Sequence, residues 1–312
     1  MAVSSLPQSA IADNVLLIGA GRPEPDVAES FETYRAYLFS IAYRMLGSAM
    51  DAEDMVQETY LRYQSASPGS LRSLKAYLTT ILTRLCIDQL QLAYRQRETY
   101  IGPWLPEPIL TGQPGANLEE EAEMRESLSL AFLALLERLQ PAERAVFLLR
   151  SVFDYEYADI AEFVGKSEAA CRQLFARAKR HLADGPARNP AAYAAHRQQL
   201  AGFLQAVQNG DREALFNLLA EGATLWADGG GKVPGAATHP VTGRHELSQF
   251  AVGAQRRFLP PDYQVELSEV NYQPALIVRG GGQALAVLTI EADEQGVHAV
   301  RLIANPDKLK RV

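Results

Sequence analysis

The chain has 312 residues, 47% of them apolar and 21% charged, with a net charge of −7. That composition predicts an ordinary globular protein of about two domains, each able to bury a core, and excludes one that is basic all over. No apolar run approaches the ~20 residues of a membrane span, and no basic segment followed by a hydrophobic stretch opens the chain. The two cysteines, Cys86 and Cys171, lie far apart inside helical patterns, so a cytoplasmic protein with no disulfide, metal or cofactor is expected.

Residues 1–28 are rich in Ala, Ser, Gly and Pro. The segment VLLIGAGRPEP lacks the third glycine of a dinucleotide fingerprint, and Pro23 and Pro25 disfavour the helix that would follow. This stretch reads as a poorly ordered tail. Residues 29–98 read as a compact helical domain. Phe31, Tyr34, Leu38, Ile41, Ala42 and Met45 recur at helical spacing up to Gly47. Asp51 opens a second helix with acids in its first turn. A third covers about 71–97, with Leu74, Leu78, Ile81, Leu85 and Leu90 as its buried stripe. Residues 99–118 form a linker with four prolines and three glycines. Its Tyr100, Ile101, Trp104, Leu105, Ile109 and Leu110 are too apolar for a free tether, so it is expected to dock.

A second helical domain follows over 119–184, with helices near 119–138, 142–152, 156–163 and 168–182. Residues 190–312 form a third unit. Helices near 191–208 and 211–220 precede ATLWAD, a loop and a helix near 243–256. Period-two segments follow: YQVELSEV, PALIVRG, QALAVLTIEA and VHAVRLIA. The fold class is therefore two all-α domains followed by an α+β domain with a mostly antiparallel sheet.

The stretch WADGGGKVPG invites a phosphate-loop reading that its spacing rejects. Trp226 stands where the first glycine is needed, and Val233-Pro234 follow Lys232 where a Ser or Thr and a helix belong. Its glycines instead suit a tight turn out of a strand.

The sharpest signal is YADIAEFVGKSEAACRQLFARAKRHL. A short helix carries Ile160, Phe163 and Val164, Gly165 supplies the turn, and Ser167 is set as an N-cap. The next helix puts Cys171, Leu174, Phe175, Ala178 and Leu182 on one side. Ala169, Arg172, Gln173, Ala176, Arg177 and Arg180 lie on the other. That is the layout of a helix-turn-helix recognition helix, with arginine and glutamine suited to base edges. From Lys166 to Arg188, six basic and two acidic residues give a local charge of +4, which fits phosphate contact.

On these residues the chain resembles the extracytoplasmic-function sigma factors of bacterial RNA polymerase. YRMLGSAMDAEDMVQETYLRY resembles the polymerase-binding helix pair of the sigma-2 domain. LKAYLTTILTRLCIDQL resembles the helix that melts and reads the −10 element. LERLQPAERAVFLLRSVFDYEYADIAEFVGKSEAACRQLFARAKRHL resembles sigma-4, the −35 reader. WLPEP, DGGGK and NPDKL resemble the subgroup with a fused C-terminal SnoaL-like domain, a cone of curved sheet and helices thought to regulate the factor in cis.

The resemblance implies site residues. Asp51, Glu53, Asp54, Gln57 and Glu58 would meet core polymerase, through its β′ subunit. Thr80, Arg84, Asp88, Gln91 and Arg95 share one helix face; Thr80, Arg84, Gln91 and Arg95, with Arg97, would serve the −10 element, with Ser65 to Ser70 as the pocket wall for an unstacked base. Arg84 departs from the asparagine of many such factors, and an ion-pair role stays open beside the DNA role. Arg172, Gln173, Arg177, Lys179 and Arg180 would serve the −35 element. Trp104, Leu105, Pro106, Glu107, Pro108, Asp228, Gly229, Gly230, Gly231, Lys232, Asn305, Pro306, Asp307, Lys308 and Leu309 would form the regulatory contact between domains. Partners are then core polymerase (β′ and β) and promoter DNA. A small ligand in the cone stays open, as does a cyclase- or isomerase-like cone using Asp228, His239, His245 or His298; no catalytic residue is assigned.

Overall fold

The computed structural model describes residues 27–66, 73–111, 127–183 and 193–312. The expected tail over 1–28 therefore lies almost wholly outside the described residues, and so do most of the Ser65–Ser70 loop and the acidic run at 119–124. Helix α1 (Val27–Leu46) stops where Gly47 turns the chain. Helix α2 (Ala49–Ser65) opens ahead of Asp51, because the Ser48 side chain caps it by accepting from the Asp51 amide at 3.2 Å. In α3 (Leu74–Arg97) the buried residues are Leu78, Leu82, Leu85, Cys86 and Leu90, with Thr79 and Thr83 beside them. Leu74 and Ile81, expected in the stripe, are half-buried. The stripe is wider than one face because α3 is gripped from two sides, by α1 and α2 and by the second helical unit.

That unit comprises α4 (Leu130–Leu136), α5 (Pro141–Ser151), α6 (Tyr157–Val164) and α7 (Glu168–Ala183). The single helix expected over 119–138 is interrupted at Ser129, whose hydroxyl accepts from the Phe132 amide at 3.0 Å and starts α4 afresh. The two helical units share one apolar core, in which Leu78 and Leu82 join Leu133, Ile160 and Phe163.

The third unit packs α8 (Tyr193–Asn209), α9 (Arg212–Leu218) and α10 (Arg244–Phe258) with a six-stranded sheet. Its strands are β1 (Leu219–Asp228), β2 (Val241–Thr242), β3 (Gln264–Val270), β4 (Gln273–Gly280), β5 (Gln283–Asp293) and β6 (Gly296–Ile303). They lie in the order β2-β1-β6-β5-β4-β3, with β1 and β6 parallel and the other neighbours antiparallel. Bulges break three of these registers and bend the sheet into the expected cone. The helix expected to reach residue 220 ends at Leu218, where β1 takes over before ATLWAD.

Leu200, Phe203, Leu215, Leu225, Ile290 and Val300 fill the space between these helices and the sheet. Ile277, Val287 and Ile303 form a second cluster with Leu105 of the linker and Leu309 near the C-terminus. The linker also extends the sheet. Leu110 pairs antiparallel with Val270, the Thr111 amide donates to the Glu269 carbonyl at 3.1 Å, and the Asn271 amide donates to the Ile109 carbonyl at 2.9 Å. Edge strand β3 is thus covered by the chain's own linker.

Candidate nucleic-acid interface and motif junction

The helix-turn-helix forms as its sequence dictates. Gly165 takes the left-handed conformation at φ 65° that ends α6, and the Ser167 hydroxyl accepts from the Ala170 amide at 3.2 Å to start α7. Cys171, Leu174 and Ala178 face the core. Arg172, Gln173, Ala176, Arg177, Lys179 and Arg180 are exposed. Two of the arginines already have partners. Arg172 reaches Glu168 at 2.8 Å and lies 4.6 Å from the centre of the Tyr157 ring. Arg177, at 3.3 Å, and His181, at 3.1 Å, both meet Glu143, a buried carboxylate that also accepts from the Gln140 amide in the capping box of α5. Arg177 therefore braces the recognition helix against α5.

The face expected to read the −10 element is divided. Asp88, Gln91 and Arg95 are exposed, and Thr80 is half-buried with its hydroxyl donating to the Ala76 carbonyl. Arg84 instead holds the end of α6, donating to the Phe163 carbonyl at 3.2 Å and the Glu162 carbonyl at 2.9 Å. Its partners are main-chain carbonyls, so the expected ion-pair alternative is corrected to a helix C-terminal contact. Arg97, expected on phosphates, is packed inside. It pairs with Glu137, and its guanidinium lies 3.6 Å from the Trp104 ring centre. Burial lowers its pKa to about 10.

On α2, Asp54 and Gln57 are exposed. Glu58 bonds Arg62 at 2.8 Å within the helix. Glu53 meets Arg35 at 3.0 Å and Arg311, from the third unit, at 3.9 Å. Asp51 is half-buried, and that burial raises its pKa.

WLPEP, DGGGK and NPDKL converge at one place. Asp228 is fully buried. Its carboxylate accepts from Tyr100 Oη at 2.5 Å, Lys308 Nζ at 2.6 Å, Leu105 N at 2.8 Å and Gly230 N at 3.1 Å. Lys308 also donates to the Leu105 carbonyl and stands 4.0 Å from the Trp104 ring centre. Trp104 is thus flanked by two cations, Arg97 and Lys308. Burial lowers the Lys308 pKa to about 8, and burial followed by the Asp228 bond raises that of Tyr100. Gly230 has φ 59°, and a Cβ there would strike the Asn305 side chain, whose Nδ2 donates to Tyr100 Oη at 2.9 Å. Gly229 is packed against Ala236, and Gly231 against Ile101. Lys232 pairs with Asp307 inside its own unit. Pro306 starts a short 3₁₀ turn, and Leu309 is buried beside Leu105.

Glu107 has a separate task. Its Oε2 accepts from Ala49 N at 2.7 Å, Met50 N at 3.1 Å and Ser48 Oγ at 3.1 Å. A linker carboxylate therefore caps the N-terminus of α2, where the helix dipole favours negative charge. Pro106 and Pro108 are buried on either side of it. Of the apolar linker residues, the Ile101 and Leu110 side chains remain exposed, at 58% and 41%; the expected docking is carried by Tyr100, Trp104, Leu105 and Ile109.

Sequence reasoning missed Asn271. It is 1% exposed; its Nδ2 donates to Tyr43 Oη at 2.7 Å and the Leu128 carbonyl at 2.8 Å, and its Oδ1 accepts from Ile109 N at 3.0 Å. One hairpin residue thus ties the third unit to α1, the linker and the approach to α4. An Asn between two alternating segments signals a turn, and nothing local signals the long-range bonds. Arg144 was missed too. It is 1% exposed, donates to the Arg44 carbonyl at 3.0 and 3.2 Å and pairs with Glu137.

The acid/base candidates of the third unit do not converge. Asp228 is spent on the linker, His239 and His245 are exposed, and His298 lies 2.6 Å from Asp293 at the β5–β6 hairpin. Among the described residues no group of His, Cys, Asp and Glu could hold a metal ion, and no helix is long and apolar enough to cross a membrane.

Comparison with known proteins accords with this layout. The family models for Sigma-70 region 2 and Sigma-70 region 4 match residues 30–97 and 129–182. The ECF RNA polymerase sigma factor SigJ of Mycobacterium tuberculosis is 35% identical over 291 residues, covering 89% of this chain and 91% of that protein. The probable ECF sigma factor SigI of the same organism is 28% identical over 289 residues, covering 91% of this chain and 94% of its own length. The crystal structure of SigJ superposes with a TM-score of 0.70 at 33% identity, covering 90% of this chain and 97% of that one.

Proposed function

Because the chain belongs to the extracytoplasmic-function sigma factors of bacterial RNA polymerase, we propose that it directs core polymerase to promoters and is held off them by its own closed arrangement. In this reading α7 reads the −35 element through Gln173, Lys179, Arg180 and Arg172, with Arg177 positioning the helix. Helix α3 serves the −10 element through Gln91, Arg95 and Thr80. Asp54, Gln57 and Glu58 offer the acidic face of α2 to the β′ subunit, and the sigma-4 unit meets β. Such a protein works in the cytoplasm, where polymerase and promoter DNA are.

The observation that carries the reading is the Arg84 contact. A residue of the −10 helix bonds the end of the helix that precedes the −35 reader, at 2.9 Å. The two promoter elements lie about 25 base pairs apart, or roughly 85 Å at 3.4 Å per step. Readers in direct contact cannot span that distance, so promoter binding requires the second helical unit to leave the first. The third unit regulates through the linker: WLPEP is held by DGGGK and NPDKL, and Glu107 in turn caps the polymerase-binding helix.

Run-off transcription with purified core polymerase tests this. Full-length protein is expected to transcribe members of a promoter library. Arg84→Gln is expected to raise transcript yield severalfold, by loosening a joint worth about one to two charge-assisted hydrogen bonds. No transcript from any library member, with either protein, would sink the sigma reading. Equal yields from the two would remove the autoinhibitory role of Arg84.

A further inference from the structure

Two ion pairs meet on the Trp104 ring, and each belongs to a different joint. Arg97, at the end of α3, has its guanidinium 3.6 Å from the ring centre and pairs with Glu137, just past α4 in the second helical unit. Lys308, near the C-terminus, has its ammonium 4.0 Å from the ring centre and bonds Asp228, at the end of β1, at 2.6 Å. Glu137 thus closes the joint between the helical units, and Asp228 closes the joint between linker and cone. The linker tryptophan is shared by both.

The ring has no room to move alone. It lies on the turn between α1 and α2, where a Cβ on Gly47 would stand 2.8 Å from its Cη2 and 3.6 Å from Glu137 Oε1. Glu137 also takes Arg144, whose guanidinium donates to the Arg44 carbonyl of α1 at 3.0 Å. On the cone side the residue after the ring is held twice. The Leu105 amide donates to Asp228 Oδ2 at 2.8 Å, and the Leu105 carbonyl accepts from Lys308. A shift on either side of Trp104 therefore reaches the other through direct contact.

Charge gives the direction. Arg97 and Lys308 repel, and water screens them poorly because both are mostly buried. Burial lowers the Lys308 pKa to about 8, and the Arg97 charge acts in the same direction. Glu137 offsets Arg97 only while the second helical unit is in place. Once that unit leaves, Arg97 either faces Lys308 without its carboxylate or turns to water and bares part of the ring. In both cases the cone loses some of its hold on the linker.

We propose that Trp104 couples the two joints, so that docking of the second helical unit tightens the grip of the cone on the linker. Coupling of this kind is reciprocal. A change in the cone that draws Lys308 or Asp228 from the linker loosens the second helical unit in turn. Arg97, Trp104 and Glu137 are positioning residues in this device: they pass the state of the third unit to the −35 reader. This rests on the proposal that the second helical unit leaves the first at a promoter, and it adds the route by which the third unit controls that step.

The test uses the full-length chain and hydrogen exchange at the Leu105 amide, with the amides that pair β5 to β6 as reference. Glu137→Gln removes the charge and keeps the size of the side chain. It is expected to quicken Leu105 exchange about fivefold, the scale of coupling within one contact network. The same change made in Trp104→Phe, which keeps an aromatic face, should give about twofold. In Trp104→Leu it should give no more than about 1.5-fold, each factor being taken relative to its own ring variant. General damage to the second helical unit would act alike in all three backgrounds. An unchanged Leu105 amide, or one factor common to the parent and Trp104→Leu, refutes the coupling. Run-off transcription reads the return path. Lys308→Met should raise transcript yield severalfold in the parent and by a smaller factor in Glu137→Gln. An unchanged yield in the parent, or an equal rise in both, overturns that path. Absence of transcript from every protein counts against the sigma reading alone, because the exchange factors still decide the coupling.

Discussion

The joint between the two helical units and the joint between the linker and the cone bury charge in different ways. In the first, Arg84 and Arg144 donate to backbone carbonyls of Glu162, Phe163 and Arg44, and Glu137 takes both Arg144 and Arg97. A carbonyl released from such a contact can turn to water, and so can Arg84, which is already exposed. In the second, Asp228 is fully buried and held by donors from the linker, its own loop and the C-terminal segment. Pulling the linker away would cost Asp228 the bonds from Tyr100 and the Leu105 amide, and Lys308 the Leu105 carbonyl, all at once. On the proposed reading the first joint is therefore the one that opens, and the second is the one that stays. The apolar core shared by Leu78, Leu133 and Phe163 adds a condition: opening exposes it, so polymerase has to supply a surface in exchange.

The largest effect expected to separate the joints is Asp228→Ala. It leaves the Lys308 ammonium in a site where burial already lowers its pKa to about 8. Breaking one side of a buried pair costs about 3–5 kcal/mol. Urea unfolding should show that loss, against a loss of about 1–2 kcal/mol for Arg84→Gln. Equal losses from the two variants would erase the distinction drawn between the joints.

A smaller effect concerns Glu107. Glu107→Ala removes the carboxylate on the first amides of α2, and a lost cap costs about 0.5–2 kcal/mol. The damage should be local. Hydrogen exchange at the Ala49 and Met50 amides should quicken while the β1–β6 amides keep their protection. If protection falls equally in both places, the linker does not act on α2 separately from the cone.

Much of the fold was legible because local signals agreed with the global one. The helix-turn-helix follows from Gly165, Ser167 and the spacing of Cys171, Leu174 and Ala178, and the sheet follows from the alternation of YQVELSEV and the short apolar runs, set off by glycine turns, that come after it. The three motifs that meet at the junction were singled out by the resemblance they carry, and the docking of the linker by its apolar residues. What stayed illegible depends on main-chain partners and on chain separation. Arg84, Arg97 and Arg177 have the residue type and spacing of DNA contacts; only the fold reveals that carbonyls, Glu137, Trp104 and Glu143 have engaged them. Asn271 looks like any turn asparagine, and its bond to Tyr43 spans 228 positions. Helix α3 misled for a related reason: gripped from two sides, it buries more than one face, and a single stripe undercounts it.

The smallest effect is a slope with pH, and it probes the staying joint without cutting it. Burial holds the Lys308 ammonium at a pKa of about 8 instead of the ordinary 10.5. Between those values the unfolded chain keeps a proton that the folded chain has released. Stability contributed by this group therefore rises as pH climbs from about 8 toward 10.5, and is level below 8. The increment can reach at most about 1.4 kcal/mol per pH unit, since one proton is involved. Lys308→Met carries no such proton, so the difference between the two unfolding free energies should change steadily across that window and stay constant at lower pH. Parallel curves through the window would mean that Lys308 is not held in the dry contact with Asp228 and the Trp104 ring, and the contrast between an opening joint and a staying one would lose its charged centre.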